Sequence, residues 1–125
     1  VDSLGLIWAL MVRPADVQDR DGGRWLVERV RGKWATLREV IVDSGFRAKF
    51  VDWVTARCGW AVTTTRGLSG RFVVHPRRWV VERTFGWLVR YRRLTVDREY
   101  EVGVSEAMIR VAMIHLMARR LEPPR

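Results

Sequence analysis

The sequence predicts an α/β fold, a mostly parallel sheet layered with helices, and three observations predict it. Short apolar or β-branched runs end at turn residues, in "LIWALMV", "LREVIVDSG" and "WAVTTT". Between them apolar side chains recur at helical spacing, as at Phe46, Phe50, Trp53, Val54 and Cys58. The resulting order is β-α-β-α-β followed by two helices, and such alternation buries a sheet by returning the chain through helices. No repeat or low-complexity linker interrupts it, so residues 1–122 are expected to form one domain with a frayed tail at 123–125.

Each element has a local reason. Leu6 to Val12 is continuously apolar and stops at Arg13-Pro14, which reads as a buried strand. "DVQDRDGG" reads as a polar loop whose aspartates can cap the amphipathic helix "RWLVERVRGKW". Val40, Ile41 and Val42 form a strand stopped by Asp43-Ser44-Gly45. The helix through Phe46 to Cys58 ends at Gly59, as a glycine just past a C-terminus allows. Trp60 to Thr65 is a second β-branched strand, and "RFVVHP" is a short extended piece stopped by Pro76. "PRRWVVERTFGWLVRYRRL" is expected to make a helix of about five turns, with Val81, Thr84, Phe85 and Leu88 on its inner side. Ser105 is expected to cap the last helix, with Glu106 in the first turn and Arg119-Arg120 in the last.

Charge narrows the function. The chain of 125 residues carries 23 basic against 14 acidic side chains, a net charge of +9. Only Lys33 and Lys49 are lysine; every other basic residue is arginine. The planar guanidinium fork matches phosphate and stacks on aromatic rings, which suits a nucleic-acid partner. A genomic preference for arginine codons is the competing explanation. One cysteine, Cys58, excludes an intramolecular disulfide and favours a cytoplasmic setting. The longest apolar run, Leu4 to Val12, falls short of the ~20 residues that span a bilayer.

Two carboxylates stand out. Asp43 follows three β-branched residues at the expected tip of a strand, where ligands gather in open α/β sheets. It is equally a good turn residue ahead of Ser44-Gly45. Glu82 is the single acid in the arginine-rich stretch at residues 76–94. At about 100° per residue it falls opposite the inner side, near Gly86, Arg90 and Arg93. Its ordinary reading is an ion pair along the helix. Its sharper reading starts from repulsion: a carboxylate facing DNA needs a compensating cation. Convergent carboxylates bind Mg²⁺ or Mn²⁺, and such ions support in-line displacement at phosphorus.

These residues, taken in order, carry a resemblance. "RRWVVERTFGWLVRYRRL", with "VIVDSGF" before it and "SEAMIRVAMIHLMARRL" after it, strongly resembles bacterial insertion-sequence transposases of the DDE type, as do "VDSLGL" and "PADVQDRDG". The resemblance implies an RNase H-like mixed sheet flanked by helices and a catalytic set of two aspartates and a glutamate with Mg²⁺ or Mn²⁺. It implies DNA element ends and target DNA as substrates, and a homo-oligomer that brings them together. Motif by motif, it places the second aspartate on Asp43 and the glutamate on Glu82. The arginine of the tyrosine-arginine-glutamate-lysine signature falls on Arg78, its tyrosine on His75, and its later basic position on Val89 beside Arg90. Arg83, Arg90, Arg92 and Arg93 are then expected to hold phosphates. The family's first aspartate is expected to precede Val1, which would make the chain the C-terminal part of a catalytic domain truncated at its N-terminal strands. Asp2 reads as a turn residue beside Ser3 and Gly5. The competing functions are a DNA-binding protein without chemistry and an RNase H-like nuclease outside transposition.

Other features carry less. Trp79, Trp87 and Tyr91 read as packing residues before base-stacking ones. His75, His115 and Cys58 lack zinc-ligand spacing, "GLSG" lacks the lysine of a phosphate loop, and Met108, Met113 and Met117 read as core filler or a partner-helix surface.

Overall fold

In the computed structural model, the runs at Glu39–Asp43 (β1) and Ala61–Thr65 (β2) pair as parallel strands, with Ile41 opposite Thr63. Residues 1–14, 16, 19–43, 45, 46, 48–65 and 79–122 are described. Four helices accompany the sheet among them: Asp19–Val30 (α1), Ala48–Cys58 (α2), Trp79–Leu88 (α3) and Val102–Leu121 (α4). The alternating α/β architecture and the parallel pairing agree with the sequence. The expected third extended piece, residues 71–76, lies outside the described residues.

The chain divides into two compact units: residues 13–76, which hold the sheet, and residues 1–12 with 77–125, which hold α3 and α4. In the sheet unit β1 and β2 are joined by α2, as a parallel pair requires a crossover. Val54 is fully buried, and with Val27, Phe50 and Trp60 it forms the core on which Val40, Val42, Phe46 and Val62 pack. Gly59 closes α2 at φ +68°, donating its N–H to the Thr55 carbonyl at 2.9 Å. Helix α1 starts earlier than the sequence suggested and takes in Gly22 and Gly23, read above as loop. A Cβ on Gly23 would stand 2.6 Å from Phe46, so the close approach of the aromatic pair Phe46–Phe50 repays a poor helix former.

The helical unit corrects four expectations. Leu6 to Val12 is half-buried but forms no strand. Two of its N–H groups bond side chains: Leu6 donates to Asp2 Oδ1 at 2.8 Å and Val12 to Glu106 Oε1 at 3.2 Å. Leu6 and Ile7 pack on Leu88, Ala112 and Met113. An apolar run buried on helices reads like a strand because periodicity reports burial, not the partner. Helix α3 stops at Leu88 rather than continuing; Arg90 and Tyr91 donate to carbonyls three residues back, and Arg92–Leu94 is a short 3-10 turn.

The inner face of α3 is Val80, Thr84 and Leu88, while Val81 and Phe85 are exposed, at 46% and 63%. Apolar residues surround this helix, so its sequence offered two faces. Thr84 chose between them: its hydroxyl donates to the Gly5 carbonyl at 2.8 Å and to Val80 at 3.0 Å. Helix α4 begins at Val102, not at Ser105. Ser105 is buried a turn inside and donates its hydroxyl to Asp97 at 3.0 Å, and Glu106 is buried beside Arg110 at 2.6 Å. A serine bonded to an outside carboxylate has no need to cap.

Asp2 is the turn residue expected, accepting from Leu4, Leu6 and the Trp8 indole. Gly5 follows at φ +81°, where a Cβ would meet Thr84 Oγ1 at 2.8 Å and Trp87 at 3.0 Å. Gly5→Ala is therefore expected to destabilise the helical unit by about 2 kcal/mol or more, from left-handed strain and overpacking together. Urea unfolding midpoints measure this, and a change under about 0.5 kcal/mol, the usual range for neutral surface changes, would refute it. In the sheet unit the Arg57 side chain, bonded at 2.8 Å, holds the Glu28 carboxyl below its ordinary range. A depressed carboxyl stabilises above its unfolded value and loses that contribution as pH falls through its folded value. Glu28→Gln should flatten the acid-side fall of the thermal midpoint; an unchanged slope would show that the pair contributes nothing.

Candidate functional site

Asp43 is the last residue of β1 and is exposed. The three β-branched residues before it form the strand, and the turn after it ends the ladder. Its Oδ1 accepts the Gly45 N–H at 2.8 Å, so the turn role read from the sequence is present. That bond occupies Oδ1 only. Asp43 thus joins a structural duty to a solvent-facing oxygen at a strand's C-terminal end.

Glu82 lies in the first turn of α3 and is exposed. Burial of Val80, Thr84 and Leu88 turns it outward, since it sits about 200° around the helix from Thr84 and from Val80. One turn on, a Cβ built on Gly86 would meet nothing within 4 Å. Among the described residues, packing therefore does not require a glycine there. Arg78 and His75 lie outside the described residues.

The expected phosphate ligands separate by environment. Arg90 is exposed in the turn after α3, and Arg92 is exposed on the 3-10 turn. Arg93 is exposed as well but pairs with Glu99, so its charge is partly committed. Arg83 differs from all three. Its guanidinium lies 4.2 Å from the Trp79 ring and 4.8 Å from the Trp87 ring, one helical turn to either side. Its Nε is buried without a hydrogen-bond partner among the described residues. On the far helix, Arg120 of α4 stands 4.5 Å from the Trp87 ring. The i, i+4 spacing of Trp79, Arg83 and Trp87 was visible in the sequence; Arg120 was not, because only folding brings α4 to that ring.

The remaining candidates have structural duties. Tyr91 bonds His115 through its hydroxyl at 3.0 Å and meets it edge to face. Met113 is buried and Met117 packs beside it. Cys58 packs on the sheet unit's core, and burial pushes its thiol up, which makes it a poor nucleophile at neutral pH.

Asp43 and Glu82 both offer carboxylate oxygens to solvent, the donor chemistry that Mg²⁺ and Mn²⁺ prefer. Among the described residues no three His, Cys, Asp or Glu side chains gather as a cation site. Carboxylate oxygens of this kind are the donor type such an ion takes alongside waters. No helix among the described residues is long and apolar enough to cross a membrane.

The family model described as transposase DDE domain matches residues 1–117, and the chain belongs to that family. No curated protein and no solved structure matches it.

The double role of Asp43 gives a prediction that separates fold from chemistry. Asp43→Asn keeps an oxygen acceptor for the Gly45 N–H, so its stability should stay within about 0.5 kcal/mol of the parent. Asp43→Ala loses the turn bond and should cost about 1 kcal/mol. Chemical denaturation of the two variants checks the order; equal losses would mean that the turn bond is immaterial.

Proposed function

We propose that the chain acts in DNA transposition, by metal-dependent hydrolysis of a phosphodiester at a mobile-element end followed by strand transfer to target DNA. Membership of the transposase DDE family over residues 1–117 is the observation that carries this reading. The exposure of Asp43 and Glu82, the two acids that match the family's motif, supports it.

In this reading Asp43 and Glu82 hold Mg²⁺ or Mn²⁺ through carboxylate oxygens. The ion, when bound, stabilises charge on the attacking and leaving oxygens at phosphorus. Arg78, the position that matches the signature's arginine, orients the Glu82 carboxylate. Arg90 and Arg92, exposed just beyond α3, grip the backbone by charge and forked hydrogen bonds, Arg93 joins them by exchanging Glu99 for phosphate, and Arg83 adds a stacked guanidinium. In hydrolysis a water oxygen forms a bond to phosphorus as the bond to the 3′ oxygen breaks, and the 3′ oxygen leaves as a hydroxyl. In strand transfer that hydroxyl attacks a target phosphodiester, and the displaced target 3′ oxygen takes up the proton. Two element ends must be held together, which is why a homo-oligomer on double-stranded DNA is the expected working form.

The test uses the protein in the longest form its gene encodes, with supercoiled plasmid carrying element ends. Nicking should need Mg²⁺ or Mn²⁺ and stop on chelation. Glu82→Gln and Asp43→Asn should each reduce nicking by more than about 100-fold, since even the outer partners of metal ligands are worth 10–100-fold. DNA affinity should stay within a few-fold. Nicking retained in Glu82→Gln defeats the assignment of that residue. Binding without nicking in the parent marks a DNA-binding protein without chemistry, and nicking without joined products marks a nuclease.

A further inference from the structure

We propose that Arg83 and Arg120, stacked on Trp87, form a phosphate site shared by α3 and α4, which takes one phosphodiester of a DNA backbone. The inference rests on the nucleic-acid reading above and extends it to α4, to which the sequence assigned no ligand.

Two guanidinium groups approach one indole, at 4.8 Å from Arg83 and 4.5 Å from Arg120. One cation on a ring is ordinary packing. Two repel each other, and among the described residues neither is paired with a carboxylate, whereas Arg93 pairs with Glu99 and Arg110 with Glu106. An anion that accepts from both would offset that repulsion. A guanidinium held over a ring keeps N–H donors that can meet phosphate oxygens, because the ring accepts none of them in the way a carboxylate would. Arg83 has already lost water at Nε without gaining an acceptor, so part of the cost of desolvation on binding falls in the free protein. Trp79 clamps Arg83 from the other side at 4.2 Å, leaving it little freedom to lose.

A DNA backbone is the source of phosphate that the surroundings favour, because exposed Arg90 and Arg92 follow α3 on the same chain segment and offer further contacts to a continuous polyanion. A free phosphate would need only the stacked pair.

The experiment measures affinity for a short mixed-sequence duplex between about 50 and 200 mM NaCl. Arg120→Gln should lower the slope of log Kd against log [NaCl] by about 0.9, the worth of one phosphate contact, equally on unrelated sequences. Arg119→Gln, one residue away and without a stacked ring, should change it by less than about 0.3. Arg120→Lys should keep the slope but weaken binding several-fold, since charge survives and the fork does not. Circular dichroism confirms that α4 persists in each variant. An unchanged slope in Arg120→Gln, an equal loss in Arg119→Gln, or no duplex binding by the parent overturns the site. A second arm replaces chloride by inorganic phosphate at constant ionic strength: competition in the parent that is weaker in Arg120→Gln supports it. Phosphate competition without a slope change overturns the DNA assignment in favour of a free-anion site. A slope loss in Arg120→Gln with no metal-dependent nicking would defeat the catalytic reading and leave this site standing.

Discussion

One buried hydroxyl sets the rotation of α3, and the exposure of Glu82 follows from it. Thr84 donates both to the Gly5 carbonyl, far away in the chain, and to its own helix at Val80. A buried polar group without a partner is expensive, so once Thr84 faces inward the helix cannot turn without losing that acceptor. Val80 and Leu88 are buried on the same side, and the acid at Glu82 is carried outward. The glycine matters as much as the threonine. With φ at +81° and no Cβ, Gly5 lets its carbonyl reach a helix that a larger residue would push away.

A second tie acts at the other side of the same unit. Glu106 is a buried acid in a strongly basic chain, and it is balanced by Arg110 and by the Val12 N–H. Asp97 plays the matching part for Ser105, holding the segment before α4 to the helix. In the opening segment Leu4, Leu6 and Val12 donate their N–H groups to side-chain carboxylates.

The basic residues divide by what lies beneath them. Arg57 and Arg93 are committed to carboxylates, whereas Arg13, Arg24, Arg83 and Arg120 rest on indole rings. A ring holds a guanidinium in place without cancelling its charge. Tryptophan in this chain therefore packs and holds cations at once, a role that the sequence reading of packing against base stacking did not include. Ring-mounted arginines keep their charge without a competing ion pair at each cation.

By itself the sequence determined the parallel strand pair, α2 with its glycine stop, the turn at Asp2, the family, and which acids merit attention, because each is written in local pattern or in a motif. It could not determine the inner face of α3, the start of α4 or the fate of Leu6 to Val12. Val81 and Phe85 are as apolar as Val80 and Leu88, and a good capping serine is also a good partner for a buried aspartate. In each case the options were nearly equal in local energy, and distant groups (Gly5, Asp97 and Glu106) decided by supplying the hydrogen-bond partners that one option needed. Arg120 reached Trp87 for the same reason: its place depends on how two helices pack, which no local pattern encodes.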